Sequence, residues 1–250
     1  MKSIFITGGG GKIGFTLTNH FLKNNYLVII TTRDKKKFLS SKKNDLFKRQ
    51  NLHIIEVDFL YKNAENIIST YLTDNKINIE HIIHNARSLD FLSIDKNGLI
   101  NKENFMGEFF LDVVFPCQLN ESIINLENSN LKNILFISSI YGIVAPSPTL
   151  YENFKMSSPI NYGVCKAAQI HLTKELAVRL APKIKVNCVS FGGIKGRSST
   201  EFIKKYSSLN PLGKMLEDHE VIEPIQFLIS ENLKSMTGHN LIVDGGWTIW

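Results

Sequence analysis

Two stretches hold the residue types best suited to chemistry, Ser139-Ile140-Tyr141-Gly142 and Tyr162-Gly163-Val164-Cys165-Lys166. Tyr162 and Lys166 are four residues apart, so on a helix they share one face. The apolar spacing of Ala167, Ala168, Leu172, Leu176, Ala177 and Leu180 predicts that helix, and Pro182 ends it. An ammonium beside a phenol favours the phenolate and draws the tyrosine down from its ordinary value of about 10. The pair is then an acid and base usable near neutral pH. Tyr-x-x-x-Lys alone is common on helix surfaces, so its meaning depends on what the rest of the chain places around it.

The first such element is a glycine turn. Ser3 to Ile6 reads as a strand, Thr7-Gly8-Gly9-Gly10-Gly11-Lys12-Ile13-Gly14 follows at once, and Ile13, Leu17, His20 and Phe21 begin a helical pattern. Glycines between a strand and a helix let the backbone approach a pyrophosphate, whose charge meets the helix N-terminus. A second strand, Tyr26 to Thr31, ends at Thr32-Arg33-Asp34, where such a site meets the adenosine ribose. An acidic residue there selects NAD; a guanidinium beside the small neutral Thr32 suits a 2′-phosphate, and Lys12 adds charge. NADP(H) is the favoured cofactor. The competing reading has Asp34 turned in to the ribose hydroxyls of NAD.

Further strands are expected at Leu52 to Val57, Ile79 to Ile83, Asn133 to Ile137, Lys185 to Val189 and Asn240 to Val243. Helical patterns lie between them, including a long one from Asn101 to Leu126 that Pro116 should kink. Alternation at this spacing predicts a doubly wound parallel sheet in three α/β/α layers, as one domain over residues 1–250. Thr7, Arg33, Asp58, Asn85, Ser139 and Ser190 all fall at strand ends, on the side where such sheets bind ligands. Two segments read as loops over the pocket, an insertion at about 146–160 and a glycine-rich, mobile-looking lid at about 192–215.

Composition narrows the class. With 250 residues, 43% hydrophobic and 21% charged, the chain suits one large globular domain. No apolar run approaches the roughly 18 residues of a membrane span, and the N-terminus enters a strand directly. Cys117, Cys165 and Cys188 lie far apart without metal-like pairing, as in a cytoplasmic protein with reduced thiols. The net charge of +6 is densest at Lys35, Lys36, Lys37, Lys42, Lys43, Lys48 and Arg49. No aromatic residues interleave there, so a solvated helix face or a funnel for a phosphorylated ligand fits better than nucleic acid.

Thr-Gly-x-x-x-x-Ile-Gly, Asn85-Ala86, Ser139, Tyr162-x-x-x-Lys166, Val186-Asn187 and Thr237-Gly238 with Val243-Asp244-Gly245-Gly246 together resemble the short-chain dehydrogenases/reductases, from end to end. The resemblance implies NAD(P)-dependent interconversion of a carbonyl and a hydroxyl. It makes Tyr162 the proton donor and acceptor, Ser139 the group that orients the substrate oxygen, and Lys166 the tyrosine's activator. Cofactor contacts then fall to Gly8, Gly10, Gly11, Lys12, Ile13 and Gly14 in the turn and to Arg33, Asp58, Phe59, Asn85 and Ala86 at strand ends. Tyr162, Lys166, Gly192 and Ile194 complete them. A homotetramer or homodimer is also implied.

The chain departs from the family pattern in four places. Lys12 replaces the middle glycine of the turn, His84-Asn85-Ala86-Arg87 replaces Asn-Asn-Ala-Gly, and Phe191 replaces a proline. The helix asparagine expected near Asp112-Val113-Val114 is missing. Tyr151 with Lys155 repeats the tyrosine–lysine spacing, but it sits among prolines and polar residues, so Tyr162 is the reading adopted. The insertion, with Ser139 to Pro146, is similar to a bacterial subgroup associated with surface-sugar and flagellin-glycan synthesis. That implies a phosphorylated or nucleotide-linked sugar as substrate, with Arg87, Lys195 and Arg197 to meet a phosphate. The rival functions are an epimerase or dehydratase using transient oxidation, and a cofactor-binding regulator with weak catalysis.

Overall fold

A computed structural model describes residues 1–41, 49–196 and 198–250. Its centre is a seven-stranded sheet: β1 (Ser3–Ile6), β2 (Leu27–Thr32), β3 (Leu52–Glu56), β4 (His81–His84), β5 (Asn133–Ser139), β6 (Lys185–Phe191) and β7 (Asn240–Val243). The order is β3-β2-β1-β4-β5-β6-β7, with every pair parallel. Parallel strands covered on both faces read as continuous apolar runs, and the two-residue period sorts their side chains. Phe5, Ile29, Ile82, Ile134 and Phe136 enter one core. Their neighbours Ile4, Ile6, Val28, Ile30, Ile83, Leu135 and Ile137 enter the other.

Helices α1 (Lys12–Lys23), α2 (Lys35–Ser41), α3 (Ala64–Asp74), α4 (Lys102–Phe109) and α5 (Phe115–Ile124) lie between the first five strands. Two more, α6 (Phe154–Ser157) and α7 (Ile160–Leu180), precede β6, and α8 (Thr200–Leu209) and α9 (Ile222–Ile229) precede β7. The first core is closed by α3, α5 and α7 through Ile68, Leu72, Leu119, Ile123 and Ala177. The second is closed by α1 and α9 through Leu17, Phe21, Ile225 and Leu228. None of these helices is long and apolar enough to cross a membrane, among the described residues. Cys165 and Cys188 are buried and Cys117 half-buried, all as free thiols.

Three expectations change. The helical pattern from Asn101 to Leu126 is not one kinked helix, because a π-helical turn, Phe110–Val114, separates α4 from α5. Pro116 lies in the first turn of α5 and has no N–H to give the carbonyl of Asp112. The freed carbonyl instead accepts a hydrogen bond from Gln169 Nε2 at 2.9 Å. The insertion at 146–160 is also more ordered than its prolines indicate, with a 3₁₀ turn at Pro148–Leu150 and helix α6. Leu150 anchors it in a third apolar cluster with Ile140, Tyr206, Met215 and Trp247. Finally, Gly192 to Lys195 is not a free loop. Gly192 N–H bonds Val243 O at 2.9 Å, Leu216 N–H bonds Gly193 O at 2.9 Å and Lys195 N–H bonds Leu216 O at 2.8 Å. Of the basic patch, Lys35, Lys36 and Lys37 form an exposed face of α2, while Lys42, Lys43 and Lys48 lie outside the described residues.

One close contact sets the register of α7 against the end of β5. After Ser139 the chain makes a 3₁₀ turn, Ile140–Gly142. A Cβ on Gly142 would stand 2.7 Å from the Lys166 carbonyl carbon, and one on Gly163 would stand 2.9 Å from Tyr141 O. The two glycines let the turn lie on the helix, which fixes Ser139 relative to Tyr162. Gly142→Ala is therefore expected to cost about 1–3 kcal/mol as overpacking. Chemical denaturation would show a lower midpoint at unchanged m.

Candidate active site

A cleft of about 920 Å³ opens at the carboxyl ends of the strands. It crosses the place where the strand order reverses, between β1 and β4. All three residues expected to do chemistry, Ser139, Tyr162 and Lys166, line it. So do all those expected at the cofactor: Gly8, Gly10, Gly11, Lys12, Ile13, Gly14, Arg33, Asp58, Phe59, Asn85, Ala86, Gly192 and Ile194. Tyr151 lines it as well, but Lys155 does not, so the second tyrosine–lysine spacing is not brought together in the cleft.

The glycine turn is built for close backbone approach. A Cβ on Gly14 would lie 2.3 Å from Gly8 O and 2.8 Å from Asn85 Nδ2. Asn85 Nδ2 bonds the carbonyls of Thr7 at 3.0 Å and Gly8 at 3.2 Å, and Thr7 Oγ1 accepts the N–H groups of Asn85 and Ala86. The ends of β1 and β4 are thus tied together beneath the N-terminus of α1. The side chain of Lys12 leaves the turn and donates to Lys195 O across the cleft. An unsubstituted backbone cradle at a helix N-terminus, opening on a cleft of this size, fits the pyrophosphate of a dinucleotide.

At the end of β2, Arg33 Nη1 bonds Asp90 Oδ2 at 2.9 Å. Ser88 and Arg33 hold the Asp90 carboxyl below its ordinary value. Asp34 turns to α2 instead, accepting the Lys37 N–H at 2.7 Å. Farther along, Phe191 ends β6 paired between Ser139 and Val243. Gly193 N–H bonds the Tyr206 hydroxyl at 2.9 Å, and Tyr206 stacks on Trp247 with ring centroids 4.4 Å apart.

Around the tyrosine, Lys166 Nζ lies 5.8 Å from the centre of the Tyr162 ring. Its ammonium is sealed in. It donates to Asp112 Oδ1 at 3.2 Å, Gln169 Oε1 at 3.0 Å and Ile137 O at 3.4 Å. Burial alone would lower its proton affinity, but the charges of Asp112 and Tyr162 and the bond to Asp112 outweigh that and raise it. The Arg87 guanidinium carbon stands closer, 4.5 Å from the Tyr162 ring centre. Ser139 Oγ accepts the Tyr141 N–H at 3.2 Å, and the hydroxyls of Tyr141 and Tyr151 lie 2.9 Å apart. Burial pushes both of those phenols up.

Asp112, Gln169 and Glu108 are the site residues that pattern reading did not supply. In the sequence Asp112 marks only the place where an asparagine is absent, and Glu108 precedes it by one helical repeat. The available signal was two acidic residues at helical spacing inside an otherwise apolar stretch. Glu108 is 1% exposed, and neither of its carboxyl oxygens has a hydrogen-bond partner. Burial pushes it up to about 7; Asp112 adds to this, while Lys166 and Arg87 work against it.

Comparison with known proteins agrees with this geometry. Residues 11–248 match the sequence model of a family described as enoyl-(acyl carrier protein) reductase. The chain belongs to the short-chain dehydrogenase/reductase family. It is 28% identical to the post-translational flagellin modification protein A of Campylobacter coli, across 98% of each chain. A short chain dehydrogenase from Leptospira borgpetersenii, solved with bound NAD+, superposes with a TM-score of 0.85 at 28% identity, over 99% of this chain and 92% of that one. ElxO with NADP bound gives 0.81 at 27% identity, over 100% and 99%.

The buried Glu108 makes a prediction independent of activity. Its folded value of about 7 exceeds the 4.5 of an ordinary glutamate, so the folded state binds the proton more tightly than the unfolded chain. Its contribution to stability is full below pH 4.5, declines as pH rises, and is lost once pH passes about 7. Glu108→Gln removes this dependence. Relative to wild type, the variant should gain about 1–3 kcal/mol at pH 8 over its standing at pH 5, read by urea denaturation at both values.

Proposed function

We propose that the protein is an NADP(H)-preferring oxidoreductase that interconverts a carbonyl and a hydroxyl on a sugar derivative. The observation that carries this reading is the convergence of Ser139, Tyr162 and Lys166 on the same cleft as the glycine cradle. When bound, a nicotinamide dinucleotide supplies or accepts the hydride at the substrate carbon. The chain's own residues handle the oxygen. In the reducing direction the Tyr162 O–H bond breaks, a new O–H bond forms at the substrate oxygen, and the phenolate is left among positive charges. Ser139 holds that oxygen by a hydrogen bond, and the cations of Lys166 and Arg87 stand by the tyrosine ring. The pyrophosphate would lie against Gly8 to Gly14 and the adenosine end near Arg33, Asp58 and Phe59.

Two structural details favour the 2′-phosphorylated cofactor. Asp34 is engaged as the cap of α2, and the exposed Arg33 stands at the end of β2 beside the neutral Thr32. The substrate end is a side pocket of about 310 Å³ lined by Arg87, Leu92, Tyr141, Tyr151, Ser157, Ser158, Pro159 and Tyr162. Its hydroxyl groups suit a polyhydroxylated ligand, and the flagellin-modifying relative is in keeping with the surface-glycan subgroup that the insertion resembles. Of the cations expected to meet a phosphate, Lys195 is paired with Glu217, Arg197 lies outside the described residues, and Arg87 rests on Tyr162. The ordered insertion walls this pocket, and the segment at about 192–215 walls the larger cleft.

Titration with NADPH and NADH, followed by keto-sugars with and without phosphate, tests the reading. Tyr162→Phe should bind cofactor as tightly as wild type while turnover falls by at least about 100-fold, as expected for loss of a general acid. Binding of neither cofactor would sink the proposal. Separately, Arg33→Ala should weaken NADPH binding by about 10- to 100-fold, the worth of a charged hydrogen bond, and change NADH binding little.

A further inference from the structure

Two departures from the family pattern, 25 residues apart in the chain, meet at one phenol. Where the asparagine is absent, Asp112 places both carboxylate oxygens 3.2 Å from Lys166 Nζ. A neutral amide there would leave the ammonium's charge intact, whereas a carboxylate at this distance cancels it as seen from Tyr162. By itself that change would weaken support for a phenolate. Where the pattern has glycine, Arg87 lines the cleft and lays its guanidinium 4.5 Å from the Tyr162 ring centre. A cation on an aromatic face is attracted by the ring's electrons, and more strongly by a phenolate than by a phenol.

We propose that Arg87 and Asp112 act as a compensating pair: Asp112 neutralises Lys166, and Arg87 supplies the positive field that Tyr162 needs to exchange its proton. Both are positioning residues that work through Tyr162 and Lys166, and the proposal rests on Tyr162 being the proton donor of the reaction above. The groups facing the phenol support it. Arg87 approaches from the loop after β4, Ser139 from the end of β5, Tyr141 from the turn that follows, Tyr151 from the insertion and Lys166 from its own helix. Behind Lys166 stand Asp112 and Glu108, with the Cys165 thiol, pushed up to about 12 by burial, beside them. Below about pH 7, where Glu108 keeps its proton, Arg87, Lys166 and Asp112 sum to one positive charge, as a lone lysine beside an asparagine would. Arg87 has no carboxylate within salt-bridge distance among the described residues, unlike Arg33, Arg179 and Lys195.

The test reads the phenolate directly in full-length protein free of cofactor and substrate. Ultraviolet difference spectra are recorded against pH, and the Tyr162 transition is isolated by subtracting the Tyr162→Phe variant. Arg87→Met should move that transition up by about one pH unit, the size of a half-screened charge at this distance. Asp112→Asn should move it down by a similar amount, the double variant should return close to wild type, and Arg87→Lys should stay there. The pH dependence of kcat should follow the same order. If Arg87→Met leaves the transition in place and changes only KM, Arg87 is a substrate contact and the proposal is wrong. It is equally wrong if the double variant shifts as far as Arg87→Met alone. Arg87 is exposed, so its variants decide the matter even if Asp112→Asn does not fold. Because the spectrum needs no turnover, a failure of the oxidoreductase reading would appear separately, as absent activity with the transition still responsive.

Discussion

The rest of the site depends on a buried ammonium. Lys166 is 4% exposed, and a charge in that position persists only if it is paired and its N–H groups have acceptors. The acceptors come from three parts of the fold: the π-helical turn through Asp112, the following turn of α7 through Gln169, and the end of β5 through Ile137 O. Each partner is itself fixed. Gln169 also donates to the Asp112 carbonyl, which Pro116 leaves without its helical donor, so one amide holds both the lysine and the segment that carries its carboxylate partner. The Lys166 carbonyl accepts from Ser138 Oγ at 2.9 Å, tying the same residue to the strand that carries Ser139.

From this follows the precision of the tyrosine. Its ring has both Lys166 and Arg87 near it and is in edge contact with Tyr141, whose backbone turn rests on Gly163. Hydride and proton transfer both need reacting atoms held within a fraction of an ångström, and packed helices and strand ends provide that better than loops. The two glycines of the turn–helix contact, and the glycine cradle under α1, are places where the backbone itself must come close.

The C-terminal residues serve the cleft as well. Asp244 accepts the N–H groups of Gly246 and Thr248, and its carbonyl takes the Asn210 amide at 2.6 Å. This holds Trp247 flat against Tyr206, whose hydroxyl receives the Gly193 N–H at the cleft wall. A segment that reads as a mobile glycine loop is therefore pinned at its start by residues about fifty positions downstream. Backbone pairing with β7 and a buried aromatic stack limit how far it can move.

Much of this was legible in the chain. Strand–glycine–helix order, apolar runs of the right length and functional residue types at strand ends determined the parallel sheet and the side on which its ligands bind. Those signals are local, with periods of two and 3.6 residues. The same reading singled out Ser139, Tyr162 and Lys166. Tertiary structure decided which charges stand near Tyr162. Asp112 reads in the sequence only as a missing asparagine, and the approach of Arg87 to the ring is not written in its spacing. Spacing says nothing about which residues meet across a π-turn, a strand end and a helix face. Burial then decided the state of Glu108, an unremarked acid on an amphipathic helix until the fold removes water from both its oxygens and sets it behind Lys166. Local pattern fixes elements and their order, whereas electrostatics depends on through-space distance and desolvation, which only the packed fold supplies.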